Sequence, residues 1–112
     1  MPITNPDYSN LNHDEMASSI GLKAKHMPML IGSFLEETES ILENLQTAIS
    51  SSDLETIKST AHSIKGSAGN LRLTELYEMS KEMELAAGEN NSAFEYAVYF
   101  NAIKQAVSTI KI

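Results

Sequence analysis

The feature that most constrains the fold is the spacing of apolar residues, which recur at three and four along almost the whole chain. Alternating β-branched runs bounded by turn residues, the mark of strands, are absent. Proline stands only at positions 2, 6 and 28, so no proline interrupts the periodic stretches beyond Pro28. From Met27 an apolar stripe runs through Ile31, Phe34, Leu35, Thr38, Ile41, Leu42, Leu45, Ala48 and Ile49. Pro28 falls where a first helical turn tolerates it. The helix ends in "SSSD", where Ser52 and Glu55 are predicted to form a capping box for the next one. That second stripe is Leu54, Ile57, Ala61, Ile64 and Ala68, and a third is Leu76, Met79, Met83, Ala86 and Ala87, stopping at "GENNS". A last stripe carries Tyr96, Phe100, Ile103, Val107 and Ile110, and a shorter helix is expected over His13 to Ile20, with "GLK" as its exit.

Four long amphipathic helices with short connections predict an all-α fold, an antiparallel up-down-up-down four-helix bundle with the short N-terminal accessory helix across one end. At 112 residues the chain is expected to form one domain over 1–112, with 1–11 a loosely ordered segment. No internal repeat or low-complexity segment interrupts it.

Composition narrows the function classes. With 42% hydrophobic and 21% charged residues the chain suits a globular protein. No apolar run reaches the roughly 18 residues that span a bilayer, and "MPITNPDYSN" lacks the pattern of a secretory signal. Cysteine is absent, which rules out disulfides and thiolate metal sites. The cytoplasm is the expected compartment, with no membrane contact. A net charge of −7 argues against nucleic-acid binding, since phosphate repulsion would have to be overcome. A zinc site is not expected either, because His13, His26 and His62 have no ligand partner at helical spacing. His13 and His26 are taken as surface or cap residues. Met27 and Met29 are core filler or part of an adaptable docking surface.

One stretch resists a purely structural account. "AHSIKGSAGNLR", Ala61 to Arg72, places Gly66 and Gly69 in a helical segment, where each costs about 1 kcal/mol relative to alanine. If Ala61 and Ile64 face the core, His62 projects toward solvent. Lys58, Ser59, Lys65, Gly66 and Gly69 then fall on its side, at i−4, i−3, i+3, i+4 and i+7. The glycines would clear space for a partner beside an exposed imidazole, and Lys65 would supply positive charge. Termination of the helix is the other reading of Gly69. Such a surface suits a histidine that accepts and passes on a phosphoryl group. An imidazole with the ordinary pKa of about 6.5 is mostly an uncharged nucleophile near neutrality. Phosphoryl transfer asks for alignment and charge stabilisation more than for covalent help from the protein.

"AHSIKGSAGN" resembles the signature of histidine-phosphotransfer (HPt) domains, in which alanine and histidine are followed by lysine at +3 and glycine at +4. The resemblance extends over roughly residues 20 to 88. It implies a four-helix bundle with an accessory helix. It also implies a two-component phosphorelay in which His62 is the phosphoacceptor, with Lys65, Gly66 and Gly69 on the docking surface. The implied partners are response-regulator receiver domains and an upstream hybrid sensor kinase, with Mg²⁺ carried by the receiver and no cofactor on this chain. A monomer is expected. Many members carry glycine ten residues after the histidine, where this chain has Arg72. Some relatives also place a polar residue on the next helix against the imidazole. A hairpin centred near Arg72 passes residues 81 to 84 by His62, and the resemblance implies Glu84 for that polar position, where a carboxylate would fix the ring tautomer; a solvated surface glutamate is the alternative. No nucleotide-binding motif is evident, so the chain is expected to be a phosphocarrier, not an enzyme that phosphorylates itself. The alternative class is a non-transferring helical-bundle adaptor that binds receiver domains.

Overall fold

The computed structural model describes residues 4–110, and every regular element among them is helical. The helices are α1 (His13–Ser19), α2 (Met27–Ser50), α3 (Leu54–Asn70), α4 (Thr74–Gly88) and α5 (Tyr96–Ser108), with a 3₁₀ turn at Ala24–His26 ahead of α2. Each long helix buries the stripe its sequence marks. Ile31, Leu45, Ile57, Ile64, Leu76, Met79, Met83 and Ile103 are almost wholly removed from water. α2 packs on α3, α3 on α4, α4 on α5 and α5 back on α2, so the stripes converge on one core. The α3–α4 contact is the most extensive. Going back along α3 from Gly69 through His62 to Lys58, the facing residues of α4 advance from Tyr77 through Glu84 to Gly88. These two helices therefore run in opposite directions.

The helices end at "SSSD", "GENNS" and "GLK" as expected, but the cap of α3 departs from expectation. Ser52 does not cap α3: its backbone is left-handed, φ 55°, and it closes α2 instead. Asp53 is the N-cap of α3; its carboxylate accepts the Thr56 N–H at 3.2 Å and the Thr56 hydroxyl at 2.6 Å. Those bonds hold the Asp53 carboxyl below its ordinary range.

Four helices end in the same way. After α1, α2, α3 and α4 a left-handed residue follows the C-cap: Gly21, Ser52, Arg72 and Asn90. The next N–H then reaches back to the helix, from Leu22 to the Ala17 carbonyl, Asp53 to Ala48, Leu73 to Ala68 and Asn91 to Ala86. This is the Schellman closure, which favours glycine at the left-handed position because a Cβ is strained there. Arg72 takes that position with φ 61°. Its guanidinium donates to the carbonyls of Gly69 at 3.1 Å and Ser19 at 3.4 Å, both at exposed sites. Backbone strain of about 1 kcal/mol outweighs two solvated hydrogen bonds. Arg72→Gly should therefore stabilise the domain by roughly 0.5 kcal/mol, a rise of about 2–4 °C in melting temperature. A lower melting temperature would mean that the Ser19 tie holds α1 more firmly than the strain loosens the turn.

The N-terminal segment expected to be loosely ordered is attached to the bundle at Tyr8; residues 1–3 lie outside the described residues. Tyr8 is buried, and its N–H donates to Thr109 Oγ1 at 2.9 Å. Its hydroxyl donates to Glu75 at 3.0 Å and accepts the Leu76 N–H at 3.2 Å. α4 has no capping side chain of its own at Leu73. Tyr8 thus satisfies one of the donors that a helix start leaves open. Desolvation first, and the Glu75 carboxylate after it, push the Tyr8 phenol far up.

Candidate functional site

His62 lies in the middle of α3, two positions before Ile64 and one after Ala61, both fully buried. That phase turns the imidazole outward, and its side chain is 65% exposed. Its orientation is set by α4. His62 Nδ1 stands 2.7 Å from Glu84 Oε2, while Lys65 Nζ stands 2.6 Å from Glu84 Oε1. One carboxylate thus holds the histidine with one oxygen and the lysine with the other. Glu84 thus takes both the Lys65 ion pair and the His62 contact.

The electrostatics follow from this fork. Burial works against the Glu84 charge, since its side chain is 16% exposed, but Lys65 and His62 outweigh burial and hold the carboxyl below its ordinary range. The hydrogen bond to Glu84 in turn raises Lys65, against a smaller desolvation effect. An ionised carboxylate can only accept, so Nδ1 carries the hydrogen. In the neutral ring that leaves the lone pair on Nε2, on an exposed side chain.

The two glycines serve different ends. Nothing lies within 4 Å of the place a Gly66 Cβ would occupy, so this glycine leaves open surface one turn from His62. At Gly69 a Cβ would stand 3.2 Å from the Tyr77 ring of α4, so this glycine admits a neighbouring helix. Gly69 lies inside α3 and does not end it. Lys58 and Ser59 are exposed one turn before His62; Lys58 lays its stem beside Gly88, and the Ser59 hydroxyl donates to the Thr56 carbonyl. Met27 is fully buried, so the docking role considered for it fails, whereas Met29 is 66% exposed. His13 begins α1 behind the Asn12 cap, and His26 precedes α2 without a side-chain cap bond.

The profile of the Hpt domain matches residues 29–111, which take in α2 through α5 and hence His62, Lys65 and Glu84. The chain belongs to the Hpt domain family. No curated protein and no solved structure matches it. Hpt domains act as phosphocarriers in histidine phosphotransfer, and the match reaches past the sequence resemblance to include the last helix. No helix of the described residues is long and apolar enough to cross a membrane.

One expectation changes in detail, and one residue lining the groove carried no signal in the sequence. Lys65 was expected to hold its charge ready for an anion on the ring, yet that charge is bound to Glu84. Glu37 of α2 lines the groove in which His62 sits and carried no motif to mark it. Only the packing of α2 on α3 brings it there.

Proposed function

We propose that this Hpt domain relays a phosphoryl group between receiver aspartates, with His62 Nε2 as the acceptor atom. The observation that carries the proposal is the 2.7 Å contact between His62 Nδ1 and Glu84 on an exposed ring. In the forward step the Nε2 lone pair attacks the phosphorus of a receiver's aspartyl phosphate. The N–P bond forms in line with the breaking P–O bond, and the receiver carboxylate leaves with that electron pair. The ring keeps its Nδ1 proton and becomes a phosphoimidazolium, whose positive charge faces Glu84. In the second step a carboxylate oxygen of another receiver attacks phosphorus, and the N–P pair returns to Nε2. No proton has to leave the ring in either direction.

Glu84 serves as a positioning residue, and Lys65 keeps it ionised and in place. Fixed geometry of this kind is the main contribution a carrier can make to phosphoryl transfer. Mg²⁺ and the activated aspartate belong to the receiver, and the upstream donor is a hybrid sensor kinase. The relay domain acts as a cytoplasmic monomer folded as an up-down bundle. A receiver-binding adaptor would have no use for a tautomer-fixed imidazole, which favours transfer over that alternative.

The test is to incubate the protein with a labelled phosphoreceiver and Mg²⁺, then locate the label by NMR of the phosphohistidine. Acid-labile phosphate on Nε2 is expected, and ATP with Mg²⁺ alone should leave the chain unlabelled. Label on Nδ1, or none from any receiver, would overturn the proposal.

A further inference from the structure

We infer that Glu37 selects and orients the receiver at His62 by binding a lysine or arginine of that partner in the groove between α2 and α3. The inference rests on the phosphotransfer reading above. The low ridge of α3 at Gly66 separates two open grooves. On the α2 side the walls carry Glu37, Ile41, Ser63 and Asn70 beside His62; apart from the imidazole, Glu37 is the only ionisable side chain there. On the α4 side the groove carries Lys65, Arg72 and Glu78, with Tyr77 at its wall. Lys65 is already matched by Glu84, and Arg72, whose guanidinium bonds to carbonyls, shares the groove with the Glu78 carboxylate. The ridge therefore divides a groove with an unmatched negative charge from one of mixed charge.

Among the described residues Glu37 makes no ion pair or side-chain hydrogen bond. A bare carboxylate in the groove that receives a phosphoryl group opposes the incoming negative charge. Lys65 cannot offset this without releasing Glu84. A partner that brings a cation to Glu37 removes the repulsion and gains a pair, whereas a partner without one meets the repulsion uncompensated. Discrimination by a built-in repulsive group is a general device of specific interfaces.

The experiment compares wild type, Glu37→Gln and Glu37→Lys with two phosphodonors. One is the receiver that phosphorylates the wild-type protein. The other is phosphoramidate, a small anion that needs no docking surface and loses ammonia as Nε2 takes its phosphoryl group. With the receiver, kcat/KM should fall about fivefold in Glu37→Gln and about fiftyfold in Glu37→Lys, through KM, with weaker salt dependence in Glu37→Gln. With phosphoramidate, the same variants should be labelled as fast as wild type or faster, because a negative charge has been removed. Opposite effects on the two donors are the expected signature. Equal slowing with both donors would mean that Glu37 acts on the His62 ring, and no change with the receiver would make it a solvated charge; either overturns the inference. If the wild type takes phosphate from phosphoramidate but from no receiver, the relay reading fails and this inference with it.

Discussion

His62→Gln should reduce receiver-derived, acid-labile label to background while leaving the fold in place. The ring supplies the lone pair that attacks phosphorus, and a glutamine amide has no comparable nucleophile. Loss of activity by unfolding is not expected, because the side chain is 65% exposed and fills no core space. Nor would Glu84 be left unpaired, since Lys65 remains 2.6 Å from its other oxygen. The cost in stability should stay below about 1 kcal/mol, the range of one partly solvated hydrogen bond. Circular dichroism melts should therefore nearly overlay those of wild type. His13→Gln and His26→Gln serve as controls and should transfer normally, because neither residue lies in the groove at α3. Label persisting in His62→Gln would place the acceptor elsewhere.

Gly66→Leu should move stability and transfer in opposite directions. Gly66 lies inside α3, its φ is not left-handed, and no atom lies within 4 Å of a Cβ built there. Leucine is the better helix former by somewhat under 1 kcal/mol, so the melting temperature should rise by about 3–6 °C. The new side chain stands one turn from His62 on the ridge between the two grooves. A partner pushed back by about 1 Å at a reacting centre loses about a hundredfold in rate. Thermal unfolding measured beside receiver-driven transfer decides the matter. A stability loss with transfer intact would mean that Gly66 is needed for packing and not for approach.

Gly69 is the contrast that structure alone supplies. Both glycines fall on the His62 side by helical phase, and sequence spacing cannot say which of them meets a neighbouring helix. The Tyr77 ring decides it. Helix existence and phase, by comparison, were legible throughout, because burial repeats with the 3.6-residue turn. The hairpin turning near Arg72 narrowed the facing residues to about 81 to 84, and the family resemblance singled out Glu84 among them. The helix ends were legible as stretches, "SSSD", "GENNS" and "GLK", but not the residue that closes or caps each. Three of the four left-handed closing positions carry serine, arginine and asparagine, so the glycine signal for a C-terminus is missing there. Ser52 illustrates the resulting error: a residue that resembles the start of α3 by its side chain ends α2 by its backbone. Tyr8 lay beyond any local pattern, its hydroxyl partners being 67 and 68 residues away.

That remote tyrosine also bears on the order in which the fold assembles. The α3–α4 hairpin is built from neighbours in the chain, and its closing contacts span few residues. Tyr8 meets Leu76 and Thr109 only across separations of 68 and 101 residues, and contacts closing such long loops are slow to form. Helix α4, which carries Glu84, can therefore form against α3 before its first turn is fully capped. On that ordering the N-terminal segment is expected to arrive afterwards as a latch. It closes at one end of the hairpin, while the phosphoryl chemistry is set by register at the middle. Sequence drift in the latch would first change how long the start of α4 stays closed, and only later how the imidazole is held.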